Sequence, residues 1–296
     1  MGGCGSEPRL SVLVLGSEGM LGQACLRWFM RRGDWRVEGT RYLDRAHPLF
    51  FDAEGPAGAL EEILSGGHFD YAINCIGILG SAIHESDSDS VARAIRVNAL
   101  LPHQLARAAS NTGTRVVHVS TDGVFSGSSQ SDYFEDSPLD CLDAYGKSKA
   151  LGECRAPNFL SIRCSIVGRD WVEGKGIVEW FLRTPAGTAI TGFTDHLWTG
   201  ITTYQFAELC ARIAERNAFD SLRRESHVYH FAPNPTISKF DLLATLECVT
   251  GRGVGVRRGK SPAGPMRRVL KSRFSGLSDL YESPGGWQNV LREAIE

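Results

Sequence analysis

Long hydrophobic runs, a strong net charge and paired cysteine motifs are all missing from this sequence. No apolar stretch approaches the roughly 20 residues of a membrane-spanning helix, so no membrane partner is expected. The net charge of −2 over 296 residues argues against a nucleic-acid partner. Eight cysteines form no CxxC motif and no Cys/His cluster, so we predict no metal site and a reducing, cytoplasmic location. The opening MGGCGS fits a short acylation pattern, but without a polybasic stretch we expect a flexible leader.

The sequence does contain enough apolar residues for a large packed core, with 42% hydrophobic content. Apolar runs at 10–15, 35–40, 71–76 and 115–120 alternate with helical segments, the longest of which covers about 87–112. This alternation predicts an α/β fold with a Rossmann-like doubly wound parallel sheet. In such sheets ligands bind at the carboxyl ends of the strands.

The first apolar run leads directly into a glycine-rich turn, Gly16-Ser17-Glu18-Gly19-Met20-Leu21-Gly22. Gly16 allows a tight turn, Gly19 lets the backbone approach a pyrophosphate, and Gly22 lets the following helix pack against the sheet. The phosphate would then lie on free amides at the helix N-terminus. The turn therefore predicts a dinucleotide site, with a purely structural glycine loop as the alternative.

The end of the second strand bears on which nicotinamide cofactor is used. No acid stands at the predicted strand tip, where Thr40 and Arg41 follow Gly39. An arginine at this point can pair with a 2′-phosphate, which a carboxylate would repel. The sequence thus favours NADPH. NADH remains the alternative, because a strand boundary shifted by two residues would bring Glu38 to the tip.

Two motifs further along suggest proton transfer. Thr121 and Tyr145 lie 24 residues apart, in Ser120-Thr121-Asp122 at a strand end and Tyr145-Gly146-Lys147-Ser148-Lys149 at a helix start. Tyr145 and Lys149 share one helical face, and a nearby ammonium favours the charged form of a phenol. The Thr121 hydroxyl can hold the oxygen that Tyr145 protonates. An accidental pattern on a helix surface is the alternative. Asn98, on the long helix, is either a polar residue without a role or the anchor of a water near Lys149.

The motifs resemble, in their order, the extended short-chain dehydrogenases/reductases. They are GSEGMLG, VNA (97–99), HVSTDGVFSG (118–127), YFED (133–136) and YGKSKALGE (145–153). Within that class the chain is most similar to the dTDP-4-dehydrorhamnose reductase family. The likeness covers nearly the whole chain, because it continues through IRCSIVG (162–168), GFTDHLWTGIT (192–202) and ISKFDLL (237–243).

This resemblance implies an activity and a role for each matching residue. The implied reaction is the NADPH-dependent reduction of the C4 ketone of a nucleotide-diphosphate-linked 4-keto-6-deoxy sugar, in deoxysugar or surface polysaccharide biosynthesis. Thr121 would orient the carbonyl, Tyr145 would donate the proton, Lys149 would hold the ribose and tune Tyr145, and Asp122 would lie beside the substrate. The resemblance implies cofactor contacts from Gly16, Gly19, Met20, Leu21, Gly22, Asp52, Gly77, Ile78 and Leu79. A nucleotide sugar is the expected partner, and a homodimer is a possible assembly.

Two residues depart from the family pattern, Gly123 where a tyrosine is usual and Ile166 where an aromatic residue is usual. Both would lie by the sugar, so its identity is open, and a related sugar such as an N-acetylated one is a candidate. Trp171 or Trp198 is a candidate replacement surface, with core packing as the alternative role. A 4,6-dehydratase would use Thr-Asp-Glu, with the glutamate as the base, and this chain has Gly123 at the position of that glutamate. A 4-epimerase remains an alternative, as does a non-catalytic NADP-binding regulatory subunit like that of methionine adenosyltransferase.

We predict two domains from the positions of these motifs. Residues 9–167, with 201–232 returning to it, form the NADP-binding Rossmann domain. Residues 168–200 and 233–296 form a smaller C-terminal substrate-binding domain. Candidates there for contact with the diphosphate are Arg169, Lys175 and Arg267 or Arg268, with solvated surface charge as the alternative.

Overall fold

A computed structural model describes residues 9–56 and 58–295 of the chain, so the prediction for the MGGCGS leader lies outside the described residues. The strands are β1 (Leu10–Leu15), β2 (Trp35–Gly39), β3 (Tyr71–Asn74), β4 (Arg115–Thr121), β5 (Phe159–Cys164), β6 (Ile166–Val167), β7 (Ala189–Phe193), β8 (His196–Trp198), β9 (Ile201–Thr202), β10 (Val228–His230), β11 (Ile237–Ser238), β12 (Gly255–Gly259) and β13 (Met266–Arg268). The α-helices are α1 (Met20–Met30), α2 (Gly58–Gly67), α3 (Ser88–Ala94), α4 (Leu101–Thr112), α5 (Ala144–Leu151), α6 (Gly176–Arg183), α7 (Thr203–Glu215), α8 (Phe219–Glu225), α9 (Lys239–Thr250), α10 (Gly276–Leu280) and α11 (Trp287–Ile295).

The largest sheet has six parallel strands in the order β2-β1-β3-β4-β5-β10. The chain moves outward from β1 in one direction to β2 and in the other direction to β3, so the strand order reverses beside β1. This arrangement confirms the predicted doubly wound sheet, and the reversal marks the crevice where such folds bind ligands. Strand β3 ends two residues earlier than predicted, because the Asn74 side chain accepts a hydrogen bond from the Ile76 amide (3.1 Å).

The predicted long helix is present as one continuous segment with a wider π turn at Ile95–Leu100 between α3 and α4. Asp87 begins it by accepting a hydrogen bond from the Asp89 amide, and Gly113 ends it at φ +74°. Pro102 has no amide hydrogen to donate to the Asn98 carbonyl, and its ring would clash with that carbonyl in a regular helix. The proline therefore accounts for the π turn, a feature that often lies at functional sites.

Two cores cover the two faces of the large sheet. Helices α1 and α7 pack on one face around Phe29, Phe206 and Tyr229. Helices α2 and α4 pack on the other face around Leu64 and Leu105. The result is a helix–sheet–helix sandwich that leaves the carboxyl ends of the strands along one edge.

A smaller core lies among the short sheets β11-β8-β13 and β12-β7. Its buried residues include Phe181, Leu242 and Trp287, from segments that the sequence assigns to the substrate-binding domain. By contrast, Leu277 and Tyr281, which the sequence also assigns to the substrate-binding domain, pack in the core of the large sheet beside Phe206. The limits of the two domains therefore stay a prediction. Across the described ranges, every helix is too short or too polar to cross a membrane.

Candidate active site

The glycine turn between β1 and α1 is tightly packed on one side and open at the start of the helix. Gly16 has φ +75°, a conformation that side chains rarely tolerate. A Cβ atom at Gly22 would lie 2.0 Å from the Gly16 carbonyl oxygen. The helix can therefore lie this close to the turn only because residue 22 has no side chain. At Gly19 the nearest atom to such a Cβ is 3.6 Å away, and none of the described side chains caps the start of α1. The turn thus leaves the helix N-terminus accessible to an anion.

The tip of β2 places Arg41 next to the carboxylate of Glu18. The strand ends at Gly39, and Thr40 accepts a hydrogen bond from the Gly16 amide (2.9 Å). Arg41 therefore stands at the tip, while Glu38 lies within the strand. The Glu18 carboxylate lies 3.9 Å from the Arg41 guanidinium and accepts hydrogen bonds from the amides of residues 42 and 43. A 2′-phosphate at Arg41 would have this carboxylate as its neighbour.

Asp52 lies beside the same strand end. The preceding residue, Phe51, donates a backbone hydrogen bond to the Arg41 carbonyl (2.7 Å). The half-buried Asp52 carboxylate accepts a hydrogen bond from the Glu54 amide (2.9 Å). The structure thus brings Asp52 and Arg41 to one edge of the sheet.

Asn98 holds the segment Gly77–Leu79 over the centre of the site. Its amide group accepts a hydrogen bond from the Ile78 N–H (2.8 Å) and donates one to the Ile78 carbonyl (2.9 Å). A Cβ at Gly77 would lie 3.7 Å from Lys149 Nζ, so this segment passes close to the lysine. Asn98 therefore has a role that neither sequence alternative described, the fixing of a backbone segment.

Helix α5 carries Tyr145 into the site from a well-capped start. Asp143 accepts a hydrogen bond from the Gly146 amide (2.7 Å), and Glu85 accepts one from the Ala144 amide (2.7 Å). The Tyr145 ring contacts the backbone at Gly123, where a Cβ atom would lie 2.9 Å from Cε1. The ring thus occupies space that a side chain at position 123 would need.

Burial raises the pKa of Tyr145 to about 12, although a hydrogen bond with the Thr121 side chain acts in the opposite direction. The sequence argument expected Lys149 to lower this pKa. Instead Lys149 donates its ammonium hydrogen bond to the Val119 carbonyl (2.7 Å), so its charge is directed at the strand end. Tyr145 consequently keeps its proton at neutral pH.

Thr121 and Asp122 close β4 next to that ring. Thr121 Oγ1 accepts a hydrogen bond from the Gly123 amide (3.0 Å) and lies 3.3 Å from Asp122 Oδ1. Burial raises the pKa of Asp122 to about 6, while the positive charge of Arg268 and a hydrogen bond with Ser165 favour its ionised form. The three predicted catalytic residues and Asp122 therefore converge at the carboxyl edge of the sheet.

Sequence reasoning missed Ser165 at this site, and it named Arg268 only as a diphosphate contact, not as a charge acting on Asp122. Ser165 directly follows β5, so the rule that ligands meet strand ends could have indicated it. Arg268 comes from β13 in the small sheets, and no local signal places it beside Asp122. The other three diphosphate candidates are engaged in ion pairs, Arg169 with Glu179, Lys175 with Glu173 and Arg267 with Asp132.

The two candidate tryptophans have other contacts. Trp198 packs on Trp287 in the smaller core, with ring centroids 5.3 Å apart. Trp171 lies against the Arg27 guanidinium, 4.0 Å from its ring centroid. Trp198 thus has the core packing of the alternative role, whereas Trp171 has a cation–π contact.

A doubly wound sheet, a glycine turn on its first strand and a Tyr-x-x-x-Lys helix beside a strand-end threonine together define the extended short-chain dehydrogenases/reductases. Sequence comparison then narrows the class. The family model for the RmlD substrate binding domain matches residues 10–249, and the chain belongs to this family.

Relatives of two kinds are similar to this chain. The dTDP-4-dehydrorhamnose reductase of Mycobacterium tuberculosis (strain H37Rv) is 29% identical over 83% of this chain and 81% of its own length. Methionine adenosyltransferase 2 subunit beta of Xenopus laevis is 31% identical over 81% of this chain and 72% of its own length. The structure of dTDP-4-dehydrorhamnose reductase from Bacillus anthracis, solved in complex with NADP, matches with a TM-score of 0.76 and 16% identity, covering 96% of this chain and 98% of that one. The proteins similar to this chain thus include both named enzymes and a named subunit.

Proposed function

We propose that this protein reduces the C4 ketone of a nucleotide-diphosphate-linked 4-keto-6-deoxy sugar, with NADPH as the reductant. The observation that carries the proposal is the convergence of Thr121, Tyr145 and Lys149 at the carboxyl edge of the sheet. The family membership and the reductase relatives support the same reaction class.

The residues at the glycine turn fit a dinucleotide. The close packing at Gly22 and the open backbone at Gly19 form a cradle that added side chains would fill. Gly16, Gly19, Met20, Leu21 and Gly22 would hold the diphosphate there, on the uncapped start of α1. Asp52 and Arg41 would contact the adenosine half, and the segment Gly77, Ile78 and Leu79 would lie over the nicotinamide ribose.

The chain's own residues account for the proton in this reaction. NADPH, when bound, supplies the hydride to C4 of the sugar. Tyr145 donates its proton to O4, because its raised pKa keeps the phenol protonated at neutral pH. Thr121 orients the carbonyl by a hydrogen bond, and Lys149 holds the ribose with a positive charge near Tyr145. The tyrosine then recovers a proton from solvent. The ketone has thus gained one hydride at C4 and one proton at O4.

One alternative is supported by a specific observation. The similarity to subunit beta of methionine adenosyltransferase supports a non-catalytic NADP-binding regulatory subunit. A 4,6-dehydratase is disfavoured, because Gly123 offers no base beside Asp122. The Tyr145 ring occupies the space that a side chain at position 123 would need. An epimerase would use the same tyrosine and lysine without net reduction.

A substrate panel tests the proposal. Purified protein is mixed with NADPH and a set of 4-keto-6-deoxy sugar nucleotides, and nicotinamide absorbance is followed. We expect oxidation with at least one member, its loss in Tyr145→Phe and its retention in Tyr204→Phe, where the buried ring lies on α7 away from the site. Tight NADPH binding without oxidation of any member would move the assignment to the regulatory subunit. Isomer exchange without net oxidation would indicate an epimerase.

A further inference from the structure

The last three residues of β4 each contact a different residue of the α5 segment. The Val119 carbonyl accepts a hydrogen bond from Lys149 Nζ (2.7 Å), and the Thr121 side chain lies next to Tyr145 and favours its ionised form. Between them, Ser120 Oγ donates a hydrogen bond to Glu153 Oε1 (2.7 Å). Tyr145 and Lys149 lie on α5, and Glu153 follows two residues after the helix ends at Leu151, so the contacts of β4 continue from the predicted catalytic pair to a third side chain.

Glu153 is fixed by more than this serine. Arg163 donates from Nε to Oε1 and from Nη2 to Oε2 of Glu153, both at 2.7 Å, and the two side chains are only 3% and 4% exposed. Arg163 lies directly opposite Ser120 in the parallel pairing of β4 with β5. The carboxylate thus joins two adjacent strands to the end of α5. A buried ion pair adds little net stability over apolar residues of the same size, so stability alone does not explain it.

We propose that Glu153 is a positioning residue of this site, which fixes the end of β4 against α5 and keeps Lys149 in its ammonium form. The kinetic part of this inference rests on the proposed reductase function, whereas the effect on Lys149 does not.

The charges around Lys149 support the second part. The groups that face it are Glu153, Cys164 on β5, Cys75 after β3 and His118 on β4. Burial lowers the pKa of His118 and raises the pKa of the Cys164 thiol, so both are neutral near pH 7. Burial also lowers the pKa of Lys149 to about 8, and the Glu153 charge acts against this effect. Glu153 therefore supplies the opposing negative charge.

The first test needs no substrate. Lysine side chains are labelled with ¹³C, and the Lys149 signal, assigned by its loss in Lys149→Met, is followed by NMR as pH rises. The test variant is Glu153→Gln/Arg163→Met, which removes both charges and so leaves no unpaired buried arginine. We expect its Lys149 pKa to fall by about one unit. The control, Glu215→Gln/Arg32→Met, removes an ion pair between the turn after α1 and the end of α7 and should leave the titration unchanged.

The second test changes only the serine. Ser120→Ala retains the Glu153–Arg163 pair, so it remains informative if the paired variant fails to fold. We expect about tenfold lower kcat with unchanged KM for NADPH, together with a lower Lys149 pKa. Its matched control is Ser161→Ala, because Ser161 is also buried in the sheet and its hydroxyl has no hydrogen-bond partner among the described residues.

Two results would overturn the inference. One is an unchanged Lys149 titration in a folded Glu153→Gln/Arg163→Met protein, and the other is Ser120→Ala behaving like Ser161→Ala. A wild-type protein that turns over no sugar nucleotide, yet shows the Lys149 shift, would refute the proposed function and leave the role of Glu153 toward Lys149 in place.

Discussion

Gly123 is the residue at which a single methyl group should most clearly affect catalysis. A Cβ atom built there lies 2.9 Å from Tyr145 Cε1 and 3.2 Å from Thr121 Oγ1. Carbon atoms in contact prefer about 3.5–4.0 Å, so Gly123→Ala must displace the ring by about 0.6–1 Å. The α5 backbone cannot take up this movement, because a Cβ at Gly146 would already lie 2.3 Å from the Gly123 carbonyl oxygen. A misplacement of about 1 Å costs on the order of a hundredfold in rate, so we expect kcat to fall about 30- to 100-fold.

Steady-state reduction of the best substrate in the panel measures this effect. NADPH affinity should be unchanged, because the glycine turn lies on another strand. Gly66→Ala is the control, since Gly66 lies within α2 and a Cβ there meets no atom within 4 Å. If Gly123→Ala kept kcat within about twofold of wild type, the position of the Tyr145 ring would not depend on Gly123 and the steric argument would be wrong.

Three further outcomes follow from the contacts described above. Arg41→Ala should raise KM for NADPH about tenfold more than KM for NADH. Glu18→Gln should shift the ratio of the two KM values the other way. An unchanged ratio in Arg41→Ala would refute the role of Arg41 in binding the 2′-phosphate. Burial lowers the pKa of His230 to about 4, so the unfolded chain takes up the proton first as pH falls. Stability should therefore drop between about pH 6.5 and 4, by up to about 3 kcal/mol, and urea unfolding of His230→Gln should lack that part of the pH slope. Asn98→Ala leaves both backbone groups of Ile78 unpaired and should lower the free energy of unfolding by about 2 kcal/mol in the same assay. An unchanged urea midpoint would contradict the role of Asn98 in fixing the segment Gly77–Leu79.

Much of the fold was predictable from local patterns. Hydrophobic runs and glycine positions depend on near neighbours in the chain. Accordingly, β1 spans the predicted residues, and the long helix ends at its predicted limit, Thr112. The end of β3 was less predictable, because the Asn74 side chain replaces a ladder hydrogen bond.

The sequence by itself determined the sheet, the glycine turn and the spacing that brings Thr121, Tyr145 and Lys149 to one edge, since strand ends in a parallel sheet converge. Only the tertiary structure decided the electrostatics. Burial, which no local pattern reports, holds the proton on Tyr145. It also lowers the pKa of Lys149, an effect that the charge of Glu153 opposes. The contacts of Glu18 with Arg41, of Asn98 with Ile78 and of Arg268 with the site likewise join residues at least 20 positions apart, so packing alone could bring them together.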